Sequence, residues 1–169
     1  MRKKSNVWSV YHEFEDGAFC EHFKLIGFFR TREQARAVVR SLKWKPGFKD
    51  HRKGFFVGKH PLDDGGAWEE GFITVIGDTT MPESGPPIGV KTVLDSDIEN
   101  SQDSLWHVLH SYVDQWKCIE AKTIGLYSDL KFAKRAVKDR LDQPGFRNRS
   151  EGFQIIPVTL GRIEYEDGF

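Results

Sequence analysis

The sequence is poor in the residues that would make its chemistry plain. Of 169 residues only two are cysteine, Cys20 and Cys118, and neither lies in a Cys-x-x-Cys pair. That argues against a zinc site or a thioredoxin-like motif, and a disulfide belongs to an oxidising compartment. The two thiols read as small, semi-buried hydrophobes. Neither sign of charge dominates, since 25 basic residues balance 25 acidic ones. A general attraction of the whole chain to nucleic acid or to a membrane surface is therefore not expected. No apolar run is long enough to span a bilayer. Met1-Arg2-Lys3-Lys4 has the basic start of a secretion signal, but no apolar stretch follows before His12 and Glu13, so the chain is read as cytoplasmic. Glycine-rich phosphate loops, nucleophile elbows and paired metal motifs are missing too. The expectation is no catalytic residue, no cofactor, no metal and no membrane.

What the sequence does contain is itself, twice. Trp8-Ser9-Val10-Tyr11-His12 returns as Trp106-His107-Val108-Leu109-His110, and Lys24-Leu25-Ile26-Gly27 as Lys122-Thr123-Ile124-Gly125. Pro46-Gly47-Phe48 returns as Pro144-Gly145-Phe146, and Gly54-Phe55 as Gly152-Phe153. These matches share an offset of about 98 positions without a gap. Gly71-Phe72 and Gly168-Phe169 close the copies with a slip of about one residue. Each copy spans roughly 65 residues, near the lower limit for burying enough apolar surface to fold alone. The 13 Phe and 5 Trp of the whole chain help, because large rings fill a small core with few residues.

Each copy reads as strand, strand, helix, strand. Trp8, Val10, His12 and Phe14 alternate with Ser9, Tyr11, Glu13 and Glu15, the period of a strand with two different faces. Trp106, Val108, His110 and Tyr112 repeat the first face. Asp16-Gly17 marks a turn, and second strands follow at Phe23 to Phe29 and Lys122 to Tyr127. Gly27 and Gly125 interrupt them at the same place, the mark of a bulge or a close backbone approach. Thr31 with Gln34 forms a capping box, and Asp129 caps the second helix. Ala35, Val38, Val39 and Leu42 make an apolar stripe; Ala133, Ala136, Val137 and Leu141 echo it, the last one position late. Pro46-Gly47 and Pro144-Gly145 stop the helices, with Phe48 and Phe146 folding back as plugs. Third strands are expected at Gly54 to Val57 and Gly152 to Val158. The predicted class is α+β, with two tandem β-β-α-β repeats about a pseudo-two-fold axis and one helix on a small antiparallel sheet in each. Residues 1–76 are assigned to the first repeat, 77–104 to a linker and 105–169 to the second. Ile73-Thr74-Val75-Ile76 is expected to extend a strand of the first repeat, and Met81 to Pro87 to be plain linker. Ile88 to Leu94 suits a short strand, and Asp95 to Asp103 an exposed acidic stretch.

The ordered motifs are an aromatic-x-Val-x-His strand, Ile-Gly before the helix, Pro-Gly-Phe after it, Gly-Phe, and a closing acidic Gly-Phe. Together they resemble a family of short bacterial domains without an established reaction. The resemblance covers both copies and implies a stand-alone cytosolic module, with no catalytic residue to carry over. The first closing segment is Trp68-Glu69-Glu70-Gly71-Phe72; the second copy has Tyr165 or Glu166 where the first has Trp68.

Several residues invite a functional reading beside a structural one. His12 and His110 sit on the inward strand face, where a histidine either works as a general base or ties down a neighbouring strand. His22, His51, His60 and His107 occur in one copy each and are expected at the surface. Asp63-Asp64-Gly65-Gly66 reads as a turn, with too few oxygen ligands for a calcium loop. Arg32, Arg36 and Arg40 share one helix face, and Lys43, Lys45, Lys49, Arg52 and Lys53 continue the basic character. Lys134, Arg135, Lys138, Arg147 and Arg149 do so in the second copy. Such a stripe is either a solvated helix face or a dock for an acidic surface, and Trp44 is the aromatic placed to join it. Trp68-Glu69-Glu70 is either a cap on the domain's own core or an anchor for a basic protein site. The function expected from these residues is non-enzymatic protein binding, as in an immunity protein or antitoxin-like inhibitor occluding a toxin. The second reading is a nucleic-acid-binding regulator using the basic helix faces, and the third an enzyme centred on His12 or His110.

Overall fold

The computed structural model describes residues 5–15, 21–64, 73–76, 79–82, 104–113, 119–147 and 150–168. The expectations for Cys20, Cys118, Asp16-Gly17, Trp68 to Phe72, residues 83–103 and Arg149 fall outside them. The elements are β1 (Asn6–Glu15), β2 (Glu21–Phe29), α1 (Arg32–Leu42), β3 (Phe55–Pro61), β4 (Ile73–Ile76) and β5 (Thr79–Pro82). They continue with β6 (Leu105–Val113), β7 (Ile119–Tyr127), α2 (Leu130–Leu141), the short α3 (Pro144–Arg147) and β8 (Phe153–Val158). The fold is α+β, with two three-stranded antiparallel sheets ordered β2-β1-β3 and β7-β6-β8. In the first sheet β1 is central and antiparallel to both neighbours, so α1 carries the chain from one edge strand to the other.

The two interrupting glycines mark bulges. Val10 faces Gly27 but Tyr11 faces Leu25, leaving Ile26 as the extra residue; Val108 faces Gly125 but Leu109 faces Thr123, leaving Ile124. Both isoleucines are fully buried. The helices start as their caps dictate. Thr31 Oγ1 accepts from the Gln34 amide at 3.2 Å, and Gln34 Oε1 accepts from the Arg30 amide at 3.1 Å, one residue earlier than an ideal capping box. Asp129 accepts from the Lys131 amide at 2.8 Å. Ala35 and Leu42 are buried on α1, with Val38 and Val39 packed at the edge of the core. On α2 Ala133, Ala136 and Val137 lie in the core, and the one-position slip brings Leu141 against it. Arg140 takes the position of Leu42 and is 7% exposed, while Leu141 is partly buried. Phe48 and Phe146 are fully buried, each contributing about 1.5–3 kcal/mol through removal of apolar surface from water.

Two expectations for the middle of the chain are corrected. Ile73–Ile76 does not extend the first sheet but forms a separate two-stranded sheet with Thr79–Pro82. Met81 and Pro82, expected in plain linker, pair with Thr74 and Ile73.

The chain divides into two compact units, and neither is contiguous with a sequence copy. Unit 1 comprises Met1–Leu62 and Val158–Phe169; unit 2 comprises Asp63–Pro157. In unit 1 the C-terminal arm runs along the free edge of β2: the Gly161 amide donates to Phe28 O at 2.7 Å and the Glu164 amide to Ile26 O at 2.8 Å. Ile163 packs against the core there. Further along, the Gly168 amide donates to Pro46 O at 3.0 Å and Lys24 Nζ to Gly168 O at 3.0 Å. In unit 2 the corresponding bond runs from the Asp63 amide to Leu126 O at 2.9 Å. The chain from Asp63 on thus serves unit 2, and the residues that follow β8 serve unit 1. Covering an edge strand in this way removes a site for unwanted pairing.

Candidate partner-binding surface

The chemistry-bearing candidates on the inward strand face are built into the cores. His12 is fully buried, with Phe48 and Phe55 edge-on at 4.8 and 4.5 Å between ring centroids. Its Nε2 donates to His51 O at 2.9 Å. His110 repeats the arrangement with Phe146 and Phe153 at 5.1 and 4.5 Å. Burial holds the His12 imidazole below its ordinary pKa; the His51 carbonyl opposes that shift, and the His51 and Lys24 charges add to it. Both rings are thus packed inside a core, and the His12 bond holds β1 to the loop at His51.

The single-copy histidines are not all at the surface. His107 is 4% exposed and shares a 3.0 Å hydrogen bond with Thr123 Oγ1. His60 is half-buried and shares one of 2.8 Å with Ser9 Oγ, and burial lowers its pKa. Among the described residues no cluster of three or more His, Cys, Asp or Glu could hold a metal ion. No helix among them is long and apolar enough to cross a membrane.

Among the described residues the most open aromatic surface belongs to unit 1, at the end of α1. The turn after Leu42 sends alternate large side chains in opposite directions: Phe48 goes into the core, while Trp44 stays 61% exposed. The 3-10 turn Arg52–Gly54 then brings the Arg52 guanidinium over the Trp44 ring at 4.4 Å, and Lys43 Nζ lies 5.4 Å from the same ring. β3 adds Phe56. Its neighbours Phe55 and Val57 pack on the core, so the strand period turns Phe56 outward, 50% exposed. Trp44, Phe56, Lys43, Arg52 and Lys53 line one shallow concavity of about 840 Å3, with Glu13 and Asp50 also on its wall. The cation–ring geometry holds the indole in place without covering it.

The other predicted residues lie elsewhere. Arg32, Arg36 and Arg40 are exposed along α1, with Arg32 5.6 Å from the Trp8 ring, and none lines the concavity. Trp68, Glu69 and Glu70 are outside the described residues. Phe56 and Arg52 were not paired with Trp44 by sequence spacing. The outward place of Phe56 in the strand period was the available signal. Comparing the copies isolates the surface further: about 98 positions on, Trp44, Arg52, Lys53 and Phe56 correspond to Asp142, Ser150, Glu151 and Gln154. The aromatic and basic character is confined to one copy. No protein-family model, curated protein or solved structure matches the chain.

Proposed function

We propose that the protein is a non-enzymatic protein-binding module built from two copies of a β-β-α-β unit. In its specific form it is a bacterial immunity or antitoxin-like inhibitor that works in the cytoplasm and occludes a toxin. The observation that carries the reading is the exposed Trp44 with Arg52 and Lys43 against its ring and Phe56 beside it. A rigid aromatic anchor with cations around it suits an acidic partner surface bearing an apolar pocket. The likeness of the motifs to short bacterial domains supports the same reading. Co-expression and pulldown with the product of the adjacent gene tests it. Capture with rescue of toxicity is expected, and Trp44→Ala combined with Arg52→Glu should weaken it by at least about tenfold, a usual cost for a hot spot. Failure to recover that partner, with no rescue, overturns the reading.

A nucleic-acid-binding regulator is the second reading, because Arg36 and Arg40 are exposed along the basic face of α1 and the ring among cations that follows the helix can stack a base. It requires affinity that falls steeply with salt and is lost on Arg36→Glu plus Arg40→Glu. Binding indifferent to both eliminates it.

A further inference from the structure

A second place where the copies differ lies inside unit 2. A cleft of about 300 Å3 opens beside the end of β7 and along α2, lined by Asp63, Tyr127, Phe132, Arg135, Asp139 and Arg140. Tyr127 is 3% exposed and Arg140 7%. Their counterparts about 98 positions earlier are Phe29 and Leu42, which are fully apolar and close the core of unit 1. Unit 1 therefore shows that the same strand and helix pack with an apolar pair at these positions. Placing a phenol and a guanidinium there costs desolvation that the fold does not require.

The Tyr127 hydroxyl is buried with no hydrogen-bond partner among the described residues, a rare condition for a buried polar atom. Gly125 makes room for it, since a Cβ there would stand 2.9 Å from the Tyr127 Oη. Burial pushes the phenol pKa up, with Arg140 opposing and Asp63 and Asp139 reinforcing, so the hydroxyl keeps its proton to donate. The two acids of the rim are already engaged. Asp63 accepts from the Ser128 amide at 2.8 Å and its hydroxyl at 2.7 Å, and Asp139 pairs with Arg135 at 3.7 Å. Arg140 Nη1 donates to Ala136 O at 3.4 Å, and the guanidinium charge acts on the Tyr127 phenol.

We propose that this cleft binds a small oxyanion, a carboxylate or a phosphate, with the Tyr127 hydroxyl as donor and Arg140 as countercharge. The phenol supplies a directed hydrogen bond, the guanidinium supplies charge and geometry, and the Phe132 ring at the mouth suits an apolar group beside the anion.

Titration of the full chain with inorganic phosphate and, separately, with butyrate tests this, read as shifts of the Tyr127, Arg140 and Ala136 amide signals. At least one probe should give a saturable shift at millimolar concentration, and the tighter of the two identifies the ligand class. Tyr127→Phe and Arg140→Leu, singly and together, copy the pairing that unit 1 already folds with. Each should keep the dispersed spectrum and lose about tenfold or more in affinity, the scale of one charge-assisted hydrogen bond. No saturable shift with either probe overturns the proposal, as does undiminished binding in the double variant. The partner surface at Trp44 lies in unit 1, so Trp44→Ala should leave the titration unchanged.

Discussion

At Gly54 the backbone passes so close to β1 that a Cβ would collide with the Glu13 carbonyl oxygen and stand 3.2 Å from His12 Nε2. Gly152 repeats this against Ser111 O and, at 2.9 Å, His110 Nε2. The Gly-Phe motif of each copy therefore has a mechanical meaning: the glycine admits the histidine ring and the phenylalanine covers it. Gly54→Ala and Gly152→Ala should each destabilise by about 1–3 kcal/mol, the range for overpacking a filled core. Urea unfolding measures it, and a loss below about 0.5 kcal/mol in both would refute the close approach. The same burial gives a pH dependence. His12 and His60 have folded pKa values below the ordinary 6.5, chiefly through desolvation. The unfolded chain then binds protons that the folded chain does not, so stability is complete above 6.5 and falls as the pH drops from there towards the depressed folded values. The urea midpoint should decline between about pH 7 and about pH 5. A midpoint that holds level or rises on acidification contradicts the buried neutral state.

At the scale of elements, what was legible in the sequence was what is local. The strand alternation, the Thr31 and Asp129 caps and the bulges at Gly27 and Gly125 each depend on residues within a few positions of one another, and each is present. Arg140 escaped because an apolar neighbour, Leu141, fitted the stripe if one slip was allowed; strict comparison with Leu42 would have exposed a buried arginine. Of the partner surface, Trp44 was legible as an outlying aromatic, whereas its meeting with Arg52 and Phe56 depends on the turn after α1 and on β1–β3 pairing. The arm along β2 was also invisible, because nothing in Gly161 to Glu164 names a strand more than a hundred positions away. Its role leads to a prediction at this scale. Ile163→Asp puts a carboxylate where an isoleucine packs on the core of unit 1, and should cost about 2 kcal/mol or more while uncovering the β2 edge. The expected signs are a lower thermal midpoint and earlier elution as protein concentration rises. Unchanged values in both would mean that the arm does not guard the edge.

For the whole molecule, the duplication and the division into units do not coincide. A copy read along the sequence keeps its own closing segment, but each compact unit takes a segment that follows the other copy's last strand. The Asp63 amide on Leu126 O and the Gly161 amide on Phe28 O are the same bond made twice, each by residues from the opposite copy. Exchange of this kind links the stability of the units through the chain, because cutting at a sequence boundary strips each of an arm. A chain ending at Leu62 should therefore be incomplete: it has β1, β2, α1 and β3, but not the arm that meets Ile26 and Phe28. Extending it to residue 76 should not help, since Asp63 belongs with unit 2. Adding a peptide of residues 158–169 should help, by restoring the two β2 hydrogen bonds, the Ile163 packing and the Lys45–Glu166 ion pair at 2.7 Å. Two-dimensional NMR of residues 1–62 with and without that peptide decides the matter. Sharpened, dispersed β2 and α1 resonances on adding the peptide are expected, with Ile163→Asp in the peptide abolishing the effect. A fragment that is equally well folded without it would show that the exchanged arm decorates a unit already complete.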